Sequence, residues 1–145
     1  MQNRRGGAAL EAALIAPVMV FILISAIDIG QYINTAHIIS NAAREGARAA
    51  SRVDSRRVND VSAAVMSYLG NSLPQMTDNQ LEEATLIEVR DADGHPIPND
   101  FLAGLDSGDS VSVRVRFDFN EIRWIHGFDY WNGQFKESTS VSRRY

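Results

Sequence analysis

The sequence contains no cysteine. A chain without thiols has no disulfide framework, no thiolate nucleophile and no thiolate metal site. The absence does not exclude an oxidising compartment. It removes one class of enzyme chemistry and one class of structural crosslink.

Clustered positive charge and metal-binding patterns are also missing. The formal net charge is -4, and the arginines are scattered along the chain, so the sequence predicts no nucleic-acid partner. The histidines stand apart, without the paired spacing of a metal site, and we assign none of them a ligand role. They are His37, His95 and His126.

Asp91 and Asp93, followed by Gly94, resemble the start of a calcium-binding loop. The glutamate that should close such a loop is absent, and Asp-Gly is common in tight turns, so we expect a turn. The sequence has no nucleophile elbow, phosphate-binding loop or nucleotide fingerprint. We therefore expect neither an enzyme nor a site for a metal or cofactor.

The most informative feature that is present is an apolar run from Ala8 to Ile27, interrupted by the single charge of Glu11. The run is close to the roughly 20 residues that span a bilayer as a helix. We expect the membrane span at about residues 8–29. A lone carboxylate in such a segment is costly unless it is paired, so by default it has a function.

The distribution of basic residues predicts the orientation of this span. Arg4 and Arg5 precede it, and the next basic residue is Arg44. This bias favours a cytoplasmic N-terminus and an extracytoplasmic C-terminal domain. A cleavable secretory signal is the alternative, but Ser25-Ala26 is a poor version of its cleavage site, and Glu11 interrupts its apolar core.

A continued amphipathic helix is predicted from Gln31 to about Arg57, since this stretch lacks proline and has small or apolar residues at spacings of three and four. The members of this stripe are Ile33, Ala36, His37, Ser40, Ala43, Ala47 and Ala50. Within the same helix, Ala42, Gly46 and Ala50 form a small-xxx-small series, which permits close approach of another backbone. We favour packing within the chain over packing on a neighbouring subunit. Arg44, Arg48 and Arg52 recur every fourth residue and are expected to be a solvated stripe.

The C-terminal half predicts an α+β domain. The expected elements are a helix at Ser55–Gly70, a polar loop from Pro74, and strands at Ala84–Val89, at 111–119 and at about Gln134–Ser142. Between the last two strands lies an aromatic loop, which we expect to cover one end of the core rather than to form a partner-binding patch. Its members are Trp124, Ile125, Phe128, Tyr130 and Trp131. The layout, a long helix followed by a second short helix and a small antiparallel sheet, is pilin-like.

The N-terminus resembles the processing site of type IV prepilins, in which a short basic leader ends in glycine and glutamate is the fifth residue of the mature chain. Here these are Gly6 and Glu11. The resemblance implies a leader of residues 1–6 held in the cytoplasm by Arg4 and Arg5, and cleavage by a prepilin peptidase before Gly7. It also implies that Glu11 is neutralised during assembly by the new amine of Gly7.

Over about the first fifty residues, the chain is similar to TadE-like proteins. The resemblance rests on Glu11, on Asp28 with Gly30, and on a box of eight residues. The box is Asn41, Ala42, Ala43, Arg44, Glu45, Gly46, Ala47 and Arg48. The family resemblance implies a minor pilin or pseudopilin of a tight-adherence (Flp-type) system in the bacterial inner membrane. The implied partners are the prepilin peptidase, other pilin or pseudopilin subunits and the Tad assembly platform.

The resulting organisation is a leader at 1–6, a long helix at 7–57 and an extracytoplasmic domain at 58–145. A rival interpretation is an uncleaved, single-pass anchored domain that binds a ligand or an envelope protein. The rival needs neither Gly6 nor Glu11, so substitution at these two positions separates the hypotheses. A membrane-tethered enzyme is less favoured, because no convergent polar set is visible.

Overall fold

The computed structural model describes residues 4–52, 57–99, 102–119 and 135–144. The elements are α1 (Arg4–Ala50), α2 (Val58–Ser72), α3 (Asp78–Ala84), β1 (Thr85–Arg90), β2 (Ser110–Asp118) and β3 (Phe135–Arg143), with a short 3-10 turn at Leu102–Gly104. The chain forms two compact units, Met1–Asn34 and Thr35–Tyr145. The predicted α+β class is confirmed, with one helix more than predicted.

The three strands form an antiparallel sheet in the order β1-β2-β3. Val113 lies opposite Val89 on one side and opposite Ser140 on the other. Along β2, every second residue is buried, which confirms the predicted alternation of one buried and one wet face. The buried residues on and just after this strand are Val111, Val113, Val115, Phe117 and Phe119.

The core forms where the helices cover this face of the sheet. From α2 it contains Val61, Val65 and Leu69, and from α1 mostly alanines together with Ile39. Small side chains on α1 let its backbone come close to the neighbouring elements. The long helix therefore packs on the sheet as the sequence predicted.

One carboxylate and one amide side chain cap the N-terminus of helix α2. The Asp60 carboxylate accepts a hydrogen bond from the Arg57 N–H at 3.0 Å, and Asn99 Oδ1 accepts one from the Asn59 N–H at 3.0 Å. These bonds satisfy backbone donors that have no partner within the helix. The observed start, Val58, lies three residues after the predicted start at Ser55.

Helix α3 lies where a polar loop was predicted, and this part of the prediction is wrong. Thr77 and Gln80 form a capping box, in which the Gln80 side chain accepts from the Thr77 N–H at 2.9 Å. Leu81 and Ala84 are buried, so the short helix is held by contacts with the core. Strand β1 follows at Thr85 without a connecting loop.

Helix α1 ends at Ala50, seven residues before the predicted end at Arg57. The Ser51 hydroxyl donates a hydrogen bond to the Arg48 carbonyl at 2.8 Å, and the Arg52 N–H donates one to the Ala49 carbonyl at 3.1 Å. Serine side chains compete with the backbone in this way and favour helix ends.

Candidate functional site

The N-terminal apolar segment is the first candidate site. Among the described residues, one helix contains a window long and apolar enough to cross a membrane, and none of that window is buried within the chain. Leu10 and Leu14 are each 78% exposed. Large contiguous apolar surfaces are typical of segments that contact a membrane or another protein. Length and composition fit a membrane anchor.

Helix α1 begins at Arg4, so Arg4, Arg5 and Gly6 lie in its first turns. Glu11 is exposed, and no ion pair to it occurs in the part of the chain that the structure describes. Gly7 lies four residues before Glu11, which places the two positions about one helical turn, or roughly 6 Å, apart on the same face. The Gly7 position has no other atom within 4 Å of where a Cβ would stand, so the surface there is open.

The box Asn41–Arg48 divides between two faces of α1. Ala42, Ala43, Gly46 and Ala47 are buried, whereas Asn41, Arg44 and Arg48 are exposed and Glu45 is half-buried. The predicted stripe is only partly correct, because Ile33 and His37 are exposed and the buried positions at this end of the helix are Thr35 and Ile39.

Gly46 occupies the tightest place in this packing. A Cβ added there would lie 2.6 Å from Val65 Cγ2 on α2 and 3.0 Å from Val113 Cγ1 on β2. At distances this short, a side chain fits only if its neighbours shift. The small-xxx-small series therefore serves packing within the chain, as the sequence analysis favoured.

The exposed arginines of α1 have only local partners among the residues that the structure describes. The Arg44 guanidinium donates to Asn41 Oδ1 at 3.3 Å, and Arg48 lies 3.9 Å from the Glu45 carboxylate. Arg52 is also exposed. The predicted solvated stripe is confirmed, and its surface is basic.

The segment Asp91–His95 is a tight turn, as predicted. Gly94 adopts a φ of +84, and Asp91 Oδ1 accepts hydrogen bonds from the Asp93 N–H at 3.0 Å and the His95 N–H at 2.8 Å. Asp91, Asp93 and His95 can bring one ligand atom each to within 4.8 Å of one another. Their hydrogen bonds account for the turn without any ion.

Sequence reasoning missed a groove between α2 and α3. Its volume is about 520 Å³, and its lining includes Met66 and Gly70 from α2 and Asp78, Leu81 and Glu82 from α3. The only sequence signal for it was the Thr77-x-x-Gln80 capping box, which marks the start of the missed helix. The aromatic loop Trp124–Trp131 and His126 lie outside the described residues.

The family model described as TadE-like protein matches residues 6–48. Comparisons with curated proteins and with solved structures give no match. The family match covers the apolar segment, Glu11 and the whole box. It confirms the resemblance drawn from the sequence: the N-terminal part of this chain, residues 6–48, is TadE-like.

Proposed function

We propose that this chain is a minor pilin or pseudopilin of a Tad (Flp-type) pilus or a related secretion apparatus. A prepilin peptidase cuts it after Gly6, and the mature chain, beginning at Gly7, joins an assembly of subunits. The observation that carries the proposal is an exposed apolar run, Ala8–Ile27, whose single carboxylate, Glu11, lies one turn from Gly7 inside the segment that matches the TadE-like family.

Cleavage would solve the electrostatic problem of Glu11. An ionised carboxylate in an apolar surrounding requires a cation, and between Gly7 and Ala43 the chain has no lysine or arginine. Cutting before Gly7 creates an amine one turn from the carboxylate. The amine of the same or a neighbouring subunit can then neutralise Glu11 when helices pack together.

The proposed location is the bacterial inner membrane, crossed once at about residues 8–29. Arg4 and Arg5 keep the leader in the cytoplasm, where the peptidase acts, and the domain from residue 58 onward is extracytoplasmic. The orientation follows from charge bias, because the next basic residue is Arg44. The proposed partners are the peptidase, other pilin or pseudopilin subunits and the Tad assembly platform.

The first test is the N-terminal sequence of the protein extracted from membranes of its native cell. We expect the mature chain to begin at Gly7. Gly6→Leu should leave the leader attached, whereas Gly7→Ala, which keeps a small residue on the other side of the proposed cut, is the matched control and should still be cut. An intact Met1 or Gln2 on the unaltered protein contradicts the proposal and favours the permanently anchored binding domain.

The second test separates membrane insertion from assembly. Glu11→Ala should insert normally but leave the new amine unpaired. We expect its incorporation into surface structures to fall about tenfold or more, because each ~1.4 kcal/mol of lost binding free energy lowers an association constant tenfold. Asp93→Ala is the matched control, because Asp93 is an exposed carboxylate in a turn outside the apolar run. Unchanged incorporation of the Glu11 variant would refute the assembly role.

A further inference from the structure

The groove between α2 and α3 has a mixed lining, which includes the polar Ser67 and Asn71, and an acidic rim. Met66 is half-buried and Leu81 is buried, while Asp78 and Glu82 are exposed at the edge. A Cβ at Gly70 would meet only Leu81 Cδ1, at 3.9 Å, so the missing side chain leaves the groove open on the α2 side. No described residue forms an ion pair with either rim carboxylate. An acidic rim beside the half-buried Met66 suits a long cationic side chain.

The exposed face of α1 in the same unit has the opposite charge. Arg44 and Arg48 lie on this face, and both retain most of their donors free for other partners, because their contacts with Asn41 and Glu45 are single and long. The Arg48 side chain is 71% exposed.

The two surfaces also share a repeat. Arg44 and Arg48 are four residues apart on α1, and Asp78 and Glu82 are four residues apart on α3. Four residues correspond to a rise of about 6 Å, so two helices lying side by side can pair one arginine with one carboxylate at each turn.

We propose that the basic face of α1 in one copy docks into the α2–α3 groove of a second copy. The arginine side chains enter the groove beside Met66, and the guanidinium groups pair with Asp78 and Glu82. Arg44 and Arg48 belong to the matched segment 6–48, whereas the groove lies outside it. The contact thus joins the TadE-like segment of one copy to the remaining domain of the next.

Docking of this kind is heterologous, because the two copies contribute different surfaces. Each docked pair leaves one free basic face and one free groove, so further copies can add in the same sense. Exposed ion pairs are individually weak. The contact therefore depends on chains held near one another in a membrane or assembly, where the effective concentration is high.

The absence of cysteine makes a direct crosslinking test possible. One copy carries Asn41→Cys beside the basic face, and a second, differently tagged copy carries Asn71→Cys in the groove lining, so that all four charged residues stay intact. Both full-length chains are co-expressed in the membrane and oxidised. We expect a mixed disulfide dimer, with at least several-fold less product when Asp93→Cys, in the exposed turn, replaces Asn71→Cys.

Charge reversal then tests the pairing itself. Arg44→Glu with Arg48→Glu in the first copy should lower the crosslink yield several-fold, and Asp78→Arg with Glu82→Arg in the second copy should restore it. Restoration also excludes loss of folding as the cause. High salt should lower the yield of the unaltered pair, because the Debye length falls to about 3 Å at 1 M.

The proposal is overturned by a yield equal to that of the Asp93→Cys pair, by insensitivity to charge reversal, or by the absence of rescue by the reversed partner. A crosslink between two Asn41→Cys copies alone, equal to the mixed yield, would instead indicate a symmetric contact and also overturn it. The outcome is independent of cleavage. An intact Met1 together with a charge-dependent crosslink would refute the proposed function but keep this contact.

Discussion

Replacing Gly46 with alanine tests whether the long helix is held by close packing in the core. The added Cβ would lie 2.6 Å from Val65 Cγ2 and 3.0 Å from Val113 Cγ1. Valine has one strongly preferred rotamer in a helix, so Val65 cannot easily turn away. The helices and the sheet must separate by several tenths of an ångström, or the valines must leave their preferred rotamers.

Two opposing effects set the size of the change. Alanine in a helix interior is favoured over glycine by about 1 kcal/mol, whereas overpacking a filled core costs about 1–3 kcal/mol. We expect the overlap with two stiff side chains to outweigh the propensity gain, lowering the free energy of unfolding by about 1 kcal/mol and the Tm by roughly 4 °C.

The assay is thermal unfolding of the full chain in detergent, followed by circular dichroism. Gly70→Ala is the matched control, because Gly70 is also helical but its added Cβ would meet only Leu81 Cδ1, at 3.9 Å. That control should keep the propensity gain and raise the Tm. A Tm for Gly46→Ala equal to or above that of the unaltered protein would refute the packing argument.

Further predictions concern the sheet and the missed helix, and unfolding measurements check each of them. Phe117→Ala should lower the free energy of unfolding by about 3–5 kcal/mol, because Phe117 is fully buried. Val141→Ala, at a position that is 66% exposed, should change the free energy of unfolding by less than about 0.5 kcal/mol. Similar losses for the two variants would contradict the assigned buried and exposed faces. Thr77→Ala removes the acceptor of the Gln80 N–H and should lower the free energy of unfolding by about 1 kcal/mol. Thr139→Ala, at an exposed strand position, should lower it by less. Equal losses for the two variants would count against the capping box.

Strand β2 was predictable because its pattern is strong. Alternation of apolar residues with serine and arginine over nine residues indicates a strand with one buried face. The turn at Gly94 was predictable for a similar reason, since aspartate and glycine at fixed positions favour a tight turn. In both cases, the residues that make the pattern also make the structure.

The face of α1 was harder to predict because alanine occurs on several sides of it. Ile33 and His37 fit the expected spacing but are exposed, while Thr35 and Ile39, shifted by two positions, are buried. Alanine adds little apolar area at any position, so the stripe has no sharp edge in the sequence. Contact with α2 and the sheet decides which alanines are buried.

Helix α3 and its groove could not be derived from periodicity. Seven residues are too few to show a helical repeat, and so short a helix is marginal without tertiary contacts. The buried Leu81 supplies such a contact. The groove also depends on α2, whose Met66 lies twelve residues before Asp78, so no periodic pattern within α3 indicates it.

The two faces of the box Asn41–Arg48 give its residues separable roles. The small residues are explained by packing, because Gly46 touches α2 and β2 and its neighbours Ala42 and Ala43 are fully buried. Nothing within the described fold requires Arg44 or Arg48, which are exposed and make only long contacts with adjacent side chains. Substitutions on the first face should therefore change stability, and substitutions on the second should change association at unaltered stability. Because the two faces lie on one helix, packing of the small residues also fixes the side of the helix on which the arginines lie. Pairing with carboxylates spaced four residues apart on another helix requires such a fixed orientation.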